Sequence, residues 1–266
     1  MVKQFRTEYG EWALVTGATS GIGAKLAEQV AERGLHVVLT ARRAGLLKKM
    51  ATEISRNYGV KTHVVPADLS LPEGIETLRA IKQDIGLLVH AAGLEVNGAF
   101  AKTALAEEER MIMVNVMSVM QLCHHFCRPM VSRGRGGILL VASIAGHMPN
   151  PYFTSYAGTK SYVVNFAASL YGELQRKGVD VCVLSPGLTD TPMVTDNGVD
   201  WDKVSLKIMN PTEVAKRGLD GLGKRLCVVS GVRNKFLVGT AKLSSMAMSA
   251  RLGEKMMRPA IDATRI

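Results

Sequence analysis

Short apolar runs alternate with longer amphipathic stretches from one end of the chain to the other. Runs of strand length fall at 12–16, 36–41, 62–65, 87–91, 137–142, 179–184 and 227–229. Between them, apolar positions recur at helical spacing over 21–33, 44–58, 71–83, 105–132, 155–177 and 212–223. The strands read as continuous apolar runs, which predicts burial on both faces. Each parallel crossover needs a helix to return the chain, so this alternation predicts an α/β fold built on a doubly wound sheet of about seven parallel strands. No composition break, linker or fixed-period repeat interrupts the series, and one domain over 1–266 is expected.

Local punctuation supports some of these boundaries. Asn210-Pro211-Thr212-Glu213 supplies an N-cap, a proline at the first helical position and a glutamate three residues after the cap. Gly34 and Gly178 close the helices before the second and sixth strands, where a left-handed residue is wanted. The loop 189–210 and the tail 233–266 carry the least readable pattern.

Composition narrows the class. Of 266 residues, 47% are hydrophobic and 21% charged, which excludes a disordered chain and leaves material for a sizeable core. Lys+Arg number 33 against 23 Asp+Glu, a formal charge of +10. That balance favours anionic partners: phosphorylated cofactors, acyl carriers, nucleic acid or an acidic membrane surface. Four cysteines are too few for a disulfide framework and point to a reducing compartment. The first residues are polar, and no run approaches the ~18 apolar residues of a membrane span. A soluble, cytoplasmic protein is expected.

Candidate chemistry begins where the first strand runs into Thr16-Gly17-Ala18-Thr19-Ser20-Gly21-Ile22-Gly23 and then a helix. A strand–glycine turn–helix unit brings backbone N–H groups and the positive helix end toward a phosphate. The alternative is a tight turn with no ligand. The second strand ends in Arg42-Arg43, where an acid would bind the 2′-hydroxyl of NAD. Guanidinium groups there suit the 2′-phosphate of NADP, so NADP(H) is preferred to NAD(H). The alternative for this pair is a solvated basic loop. Asp68, at the end of the third strand, suits the adenine amino group or, equally simply, caps a turn. Tyr156 and Lys160, four apart in a helix, project from one face, and Ser143 ends the fifth strand on the carboxyl edge. An ammonium beside a phenol favours the phenolate, which would fit Tyr156 for acid–base work.

With these pieces in order, the chain resembles the short-chain dehydrogenase/reductase family in its ordinary single-domain form. The resemblance rests on Thr16-Gly17-x-x-x-Gly21-Ile22-Gly23, Ala91-Ala92-Gly93, Asn115, Ser143, Tyr156-x-x-x-Lys160 and Pro186-Gly187. It implies a Rossmann-like fold and assigns roles. Tyr156 would be the general acid/base, Lys160 would tune it and bind the nicotinamide ribose, and Ser143 would hold the substrate oxygen. Asn115 would hold a water that links Lys160 to solvent. Gly17, Thr19, Ser20, Gly21, Ile22, Arg42, Arg43, Asp68, Leu69, Ala92 and Gly93 would bind the cofactor, with Pro186, Gly187, Thr189 and Thr191 along the nicotinamide. The chain departs from the family's usual Asn-Asn-Ala-Gly, reading His90-Ala91-Ala92-Gly93, and His90 is expected to be structural.

Met148, Asn150, Tyr152, Phe153, Leu188 and Met193 would line the substrate cleft, where flexible thioethers suit an apolar substrate. Cys123-His124-His125-Phe126-Cys127 looks like a metal cluster but sits mid-helix among apolar residues, so packing is expected and no metal. The tail 243–258 could cover the cleft, pack on a neighbouring subunit or rest on an anionic membrane, with soluble packing favoured over membrane contact. Aromatic residues are 5% and the basic residues scattered, so no nucleic-acid partner is expected. Family members pair through the two long helices, here 105–132 and 155–177, which implies a homodimer or homotetramer. The reading is an NADPH-dependent carbonyl reductase acting on a 3-oxoacyl, steroid-like or xenobiotic ketone. A non-catalytic NADP(H)-binding regulator or sensor and an NAD-dependent dehydrogenase working oxidatively are the alternatives.

Overall fold

The structure, a computed structural model, describes residues 2–204 and 206–266. Its strands are β1 (Trp12–Thr16), β2 (His36–Thr40), β3 (Thr62–Val64), β4 (Ile85–His90), β5 (Gly136–Val141), β6 (Val179–Ser185) and β7 (Cys227–Val229). All pair in parallel in the order β3-β2-β1-β4-β5-β6-β7, so the winding reverses between β1 and β4. The helices are α1 (Val2–Tyr9), α2 (Gly21–Glu32), α3 (Ala44–Tyr58), α4 (Pro72–Arg79), α5 (Leu105–Ile112), α6 (Ser118–Arg133), α7 (Thr154–Leu174), α8 (Pro192–Thr195), α9 (Pro211–Gly221), α10 (Val232–Leu243) and α11 (Met246–Met257).

The doubly wound sheet expected from the pattern is present, with all seven strands within two residues of their expected starts. Successive strand residues point to opposite faces. Val15, Leu39 and Leu184 therefore pack under α2, α3 and α9 through Leu26, Val30, Ile54 and Leu219. Leu14, Leu88 and Leu140 pack against Leu78, Leu122, Phe126 and Val163 of α4, α6 and α7 on the other face. Each such side chain, fully buried, contributes roughly 1.5–3 kcal/mol. Asn210 caps α9 through its side chain, which accepts the Thr212 N–H at 2.8 Å, and Gly34 and Gly178 take φ +87 and +72.

Three features differ from the sequence reading. The stretch 105–132 is helical throughout, but a π segment (Met113–Met117) widens it between α5 and α6. A π turn is a wider, rarer loop that recurs at functional sites. The polar start of the chain forms α1, because Tyr9 is 1% exposed and its hydroxyl donates to Asp180 at 2.9 Å. The tail and the loop 189–210 are also ordered against each other. Asp200 N–H donates to the Ala260 carbonyl at 2.9 Å, and Val199 bridges Ile261. Among the described residues no helix is long and apolar enough to cross a membrane.

Candidate active site

The carboxyl ends of β1 and β4 meet where the strand order reverses, the place where open α/β sheets leave a crevice. Thr16 ties the two ends together: its hydroxyl accepts the N–H groups of Ala91 at 3.1 Å and Ala92 at 3.0 Å. Gly17 follows with φ +66, and a Cβ there would stand 2.9 Å from the Ala92 backbone. Both strain and collision oppose any side chain, so Gly17→Ala is expected to lower stability by about 2 kcal/mol or more. A denaturation midpoint equal to wild type would contradict this.

Ser20 precedes α2 and makes no side-chain cap, so the first N–H groups of that helix border the cleft with the helix's positive end. Arg42 and Arg43 line the same end, and Arg43 donates to the Thr19 hydroxyl at 3.3 Å. Asp68 lies beside them, accepting from Ser70 N–H at 3.0 Å and from Arg110 at 3.2 Å. Burial opposes its ionisation, yet the Ser70 bonds and the Arg110 and Arg42 charges hold its carboxyl below the usual range. These groups fit a phosphorylated dinucleotide: a helix start for the bridging phosphates and two guanidinium groups for a terminal one.

At the other end, α7 presents Tyr156 and Lys160, 8% and 4% exposed, toward the end of β5. Ser143 caps the short turn Ile144–His147, accepting Ala145 N–H at 3.2 Å, and lines the cleft together with Tyr156. Lys160 Nζ donates to the Val141 carbonyl at 3.2 Å and stands 5.6 Å from the centroid of the Tyr156 ring. Burial pushes Lys160 down to about 8, against the opposing pull of the Glu95 carboxylate. Burial also pushes the Tyr156 phenol well above its ordinary value, with Glu95 adding and Ser143 opposing. The lowering expected from the neighbouring ammonium does not appear; burial, which disfavours the phenolate, sets the direction.

Asn115 lies in the π turn, 1% exposed, behind the cleft. Its oxygen accepts Leu94 N–H at 2.8 Å, and its amide donates to the Leu94 carbonyl at 2.9 Å and the Thr159 hydroxyl at 3.0 Å. Both amide hydrogens are therefore committed, and the side chain fixes the 93–95 loop. The remaining sequence-derived residues of both sets line one continuous cleft: the glycine turn, Leu69, Ala92, Gly93, Pro186, Gly187, Thr189 and Thr191, then Met148, Asn150, Phe153, Leu188 and Met193. Tyr152 is the exception. It takes φ +67 and turns away to donate to Glu254 on α11 at 2.9 Å.

The match to known proteins decides the family. Residues 11–200 fit the family described as short chain dehydrogenase. A 7beta-hydroxysteroid dehydrogenase of Collinsella aerofaciens is 35% identical over 235 residues, covering 86% of this chain and 89% of its own. A solved structure from work on 7beta-hydroxysteroid dehydrogenase stereoselectivity superposes with a TM-score of 0.85 at 31% identity, covering 94% of this chain and 98% of that one. A short-chain dehydrogenase from Sphingobium yanoikuyae, solved in complex with NADPH, has a TM-score of 0.79 at 29% identity, covering 87% and 94%. This chain is a short-chain dehydrogenase.

Its departures from the family pattern now have structural meaning. His90 is 2% exposed and pairs with the Ser118 hydroxyl at 2.9 Å, bracing the end of β4 against α6. Burial, with the Lys160 charge adding, pushes it down to about 3, so it stays neutral near neutral pH. Cys123 and Phe126 are buried in α6 while His124 faces solvent. No group of three or more metal-ligating side chains occurs among the described residues. Sequence reasoning missed Trp201, Leu206, Leu237, Met256 and Met257, which close the cleft from the loop and the tail. It also missed Glu95, which lines the cleft beside Lys160 and accepts from Asn197 Nδ2 at 2.8 Å. Burial pushes its carboxyl up to about 7. The one available signal was an acid two residues past Ala91-Ala92-Gly93.

Proposed function

We propose that this short-chain dehydrogenase reduces the carbonyl of a bulky apolar ketone, or oxidises the matching secondary alcohol, with NADP(H) preferred to NAD(H). The observation that carries the reading is one cleft in which Ser143, Tyr156 and Lys160 form a polar wall facing Met148, Phe153, Leu188, Met193 and Trp201. A nicotinamide held along this cleft would supply the hydride for the carbonyl carbon. Tyr156 donates the proton to the carbonyl oxygen, and its raised pKa keeps it protonated through neutral pH. Ser143, on the same cleft wall, donates to the same oxygen as negative charge develops there. The Lys160 ammonium then stabilises the phenolate left behind.

The 7beta-hydroxysteroid dehydrogenase relative supports a rigid, polycyclic ketone as the substrate class. Arg42 and Arg43, with an NADPH-bound neighbour of the same fold, support the phosphorylated cofactor. The test is NADPH oxidation against carbonyls graded from small aromatic ketones through 3-oxoacyl thioesters to steroid ketones, with NADH alongside. Fastest turnover of the steroid-sized ketones with NADPH is expected. NADPH binding without turnover across the series would overturn the reading in favour of a non-catalytic binder.

Glu95 gives this reading a pH signature. Its carboxylate raises the Lys160 pKa against burial, which lowers it to about 8 even with that support. Lys160 acts in its charged form, so kcat/KM for reduction is expected to fall about tenfold per pH unit above that value. Glu95→Gln removes the supporting negative charge, and the alkaline limb should move to lower pH. A limb left in place would separate Glu95 from the Lys160 titration.

A further inference from the structure

The helices α10 and α11 leave an apolar surface that the fold does not cover. Val232, Phe236 and Leu243 are 81%, 73% and 91% exposed on α10. Met248, Leu252 and Met256 follow at i+4 spacing along α11, with Leu252 60% exposed. Monomeric proteins rarely leave this many large apolar side chains exposed on neighbouring stretches of chain without a partner.

Basic residues flank both stripes. Arg233, Lys235 and Lys242 are exposed on α10, and Arg251 and Lys255 on α11, with Arg258 just beyond it. The one acid of the two helices, Glu254, is engaged by Tyr152 at 2.9 Å and Arg258 at 3.3 Å. Residues 232–266 hold seven Lys or Arg against two Asp or Glu, a formal +5 of the chain's +10.

We propose that the α10–α11 face docks on an anionic lipid surface, its apolar side chains entering the headgroup boundary and its flanking cations pairing with lipid charge. At 12 residues each, these helices lie in the plane of an interface and do not cross it. Charge decides between this occupant and a second copy of the chain, because an isologous pairing would set two such basic faces against each other. The same helices reach the cleft: Leu237, Met256 and Met257 line it, and Met256 is also 38% exposed. An apolar substrate dissolved in a bilayer would therefore meet the cleft entrance without crossing water. The docking stands on the surface alone and does not depend on the reaction proposed above.

The test is flotation of the full chain with phosphatidylcholine vesicles, alone or with about a third phosphatidylglycerol. Binding should be about tenfold or more stronger to the anionic vesicles and should weaken with added salt. Phe236→Glu/Leu252→Glu should abolish it while thermal midpoint and turnover of a water-soluble ketone stay unchanged. Lys235→Glu/Arg251→Glu, which leaves the apolar stripes intact, should remove the preference for anionic vesicles. Absence of wild-type flotation, or flotation unaffected by both double variants, overturns the proposal. A wild-type dimer that Phe236→Glu/Leu252→Glu splits into monomers in sizing chromatography overturns it too, by assigning the face to a second copy.

Discussion

Tyr156→Phe is expected to lower kcat about 10³-fold while leaving the dissociation constant of NADPH within about twofold of wild type. The phenol sits 8% exposed at the cleft wall, so removing one oxygen leaves packing intact. Without that hydroxyl the remaining donor to the substrate oxygen is Ser143, an alcohol far too weak an acid to replace a phenol. Lys160 is committed to the Val141 carbonyl, to which its Nζ donates at 3.2 Å. Single-turnover kinetics with a steroid ketone, read beside cofactor fluorescence titration, separates the two quantities. Turnover within tenfold of wild type would remove Tyr156 as the acid.

The second large effect concerns the cofactor. Arg42→Asp is expected to shift the ratio of kcat/KM for NADPH over NADH about 10²-fold toward NADH. A charge-assisted hydrogen bond to phosphate contributes about 1.5–3 kcal/mol, and the new carboxylate adds repulsion. Arg42 also helps hold the Asp68 carboxylate ionised, so a second acid there disturbs the adenine end for either cofactor. Arg42→Ala isolates the phosphate contribution, because it removes the guanidinium without adding an acid. An unchanged ratio in both variants would place the 2′-phosphate elsewhere.

Much of the site was legible because its residues sit at the ends of regular elements. β1 running into the glycine turn, Ser143 closing β5, and Tyr156 and Lys160 one turn apart on α7 are local facts of spacing. Strand periodicity set the face of each residue, and the carboxyl edge followed from parallel topology. The π turn was illegible, since 105–132 keeps helical spacing throughout and the wider turn is held by the bonds of Asn115 to Leu94 and Thr159. The helix α1 was illegible for a related reason: eight residues are too short to be stable alone, and Tyr9 pays off only when docked on Asp180.

The sign of the Tyr156 shift shows the same boundary. Spacing placed an ammonium next to a phenol, but how far each is desolvated depends on everything packed around it. Glu95 likewise sits in a loop whose path is set by Asn115 from behind and by Asn197 from 102 residues away.

By itself, then, the sequence determined the doubly wound sheet, the glycine turn, the Arg42-Arg43 pair and the places of Ser143, Tyr156 and Lys160, because each is written in local periodicity or fixed spacing, and the family followed from a resemblance across those motifs together. Only the tertiary structure decided the raised Tyr156, the buried Glu95, the cleft wall from Trp201 to Met257 and the exposed α10–α11 face. Those depend on contacts between segments far apart in the chain and on the water such contacts exclude, which no local pattern encodes.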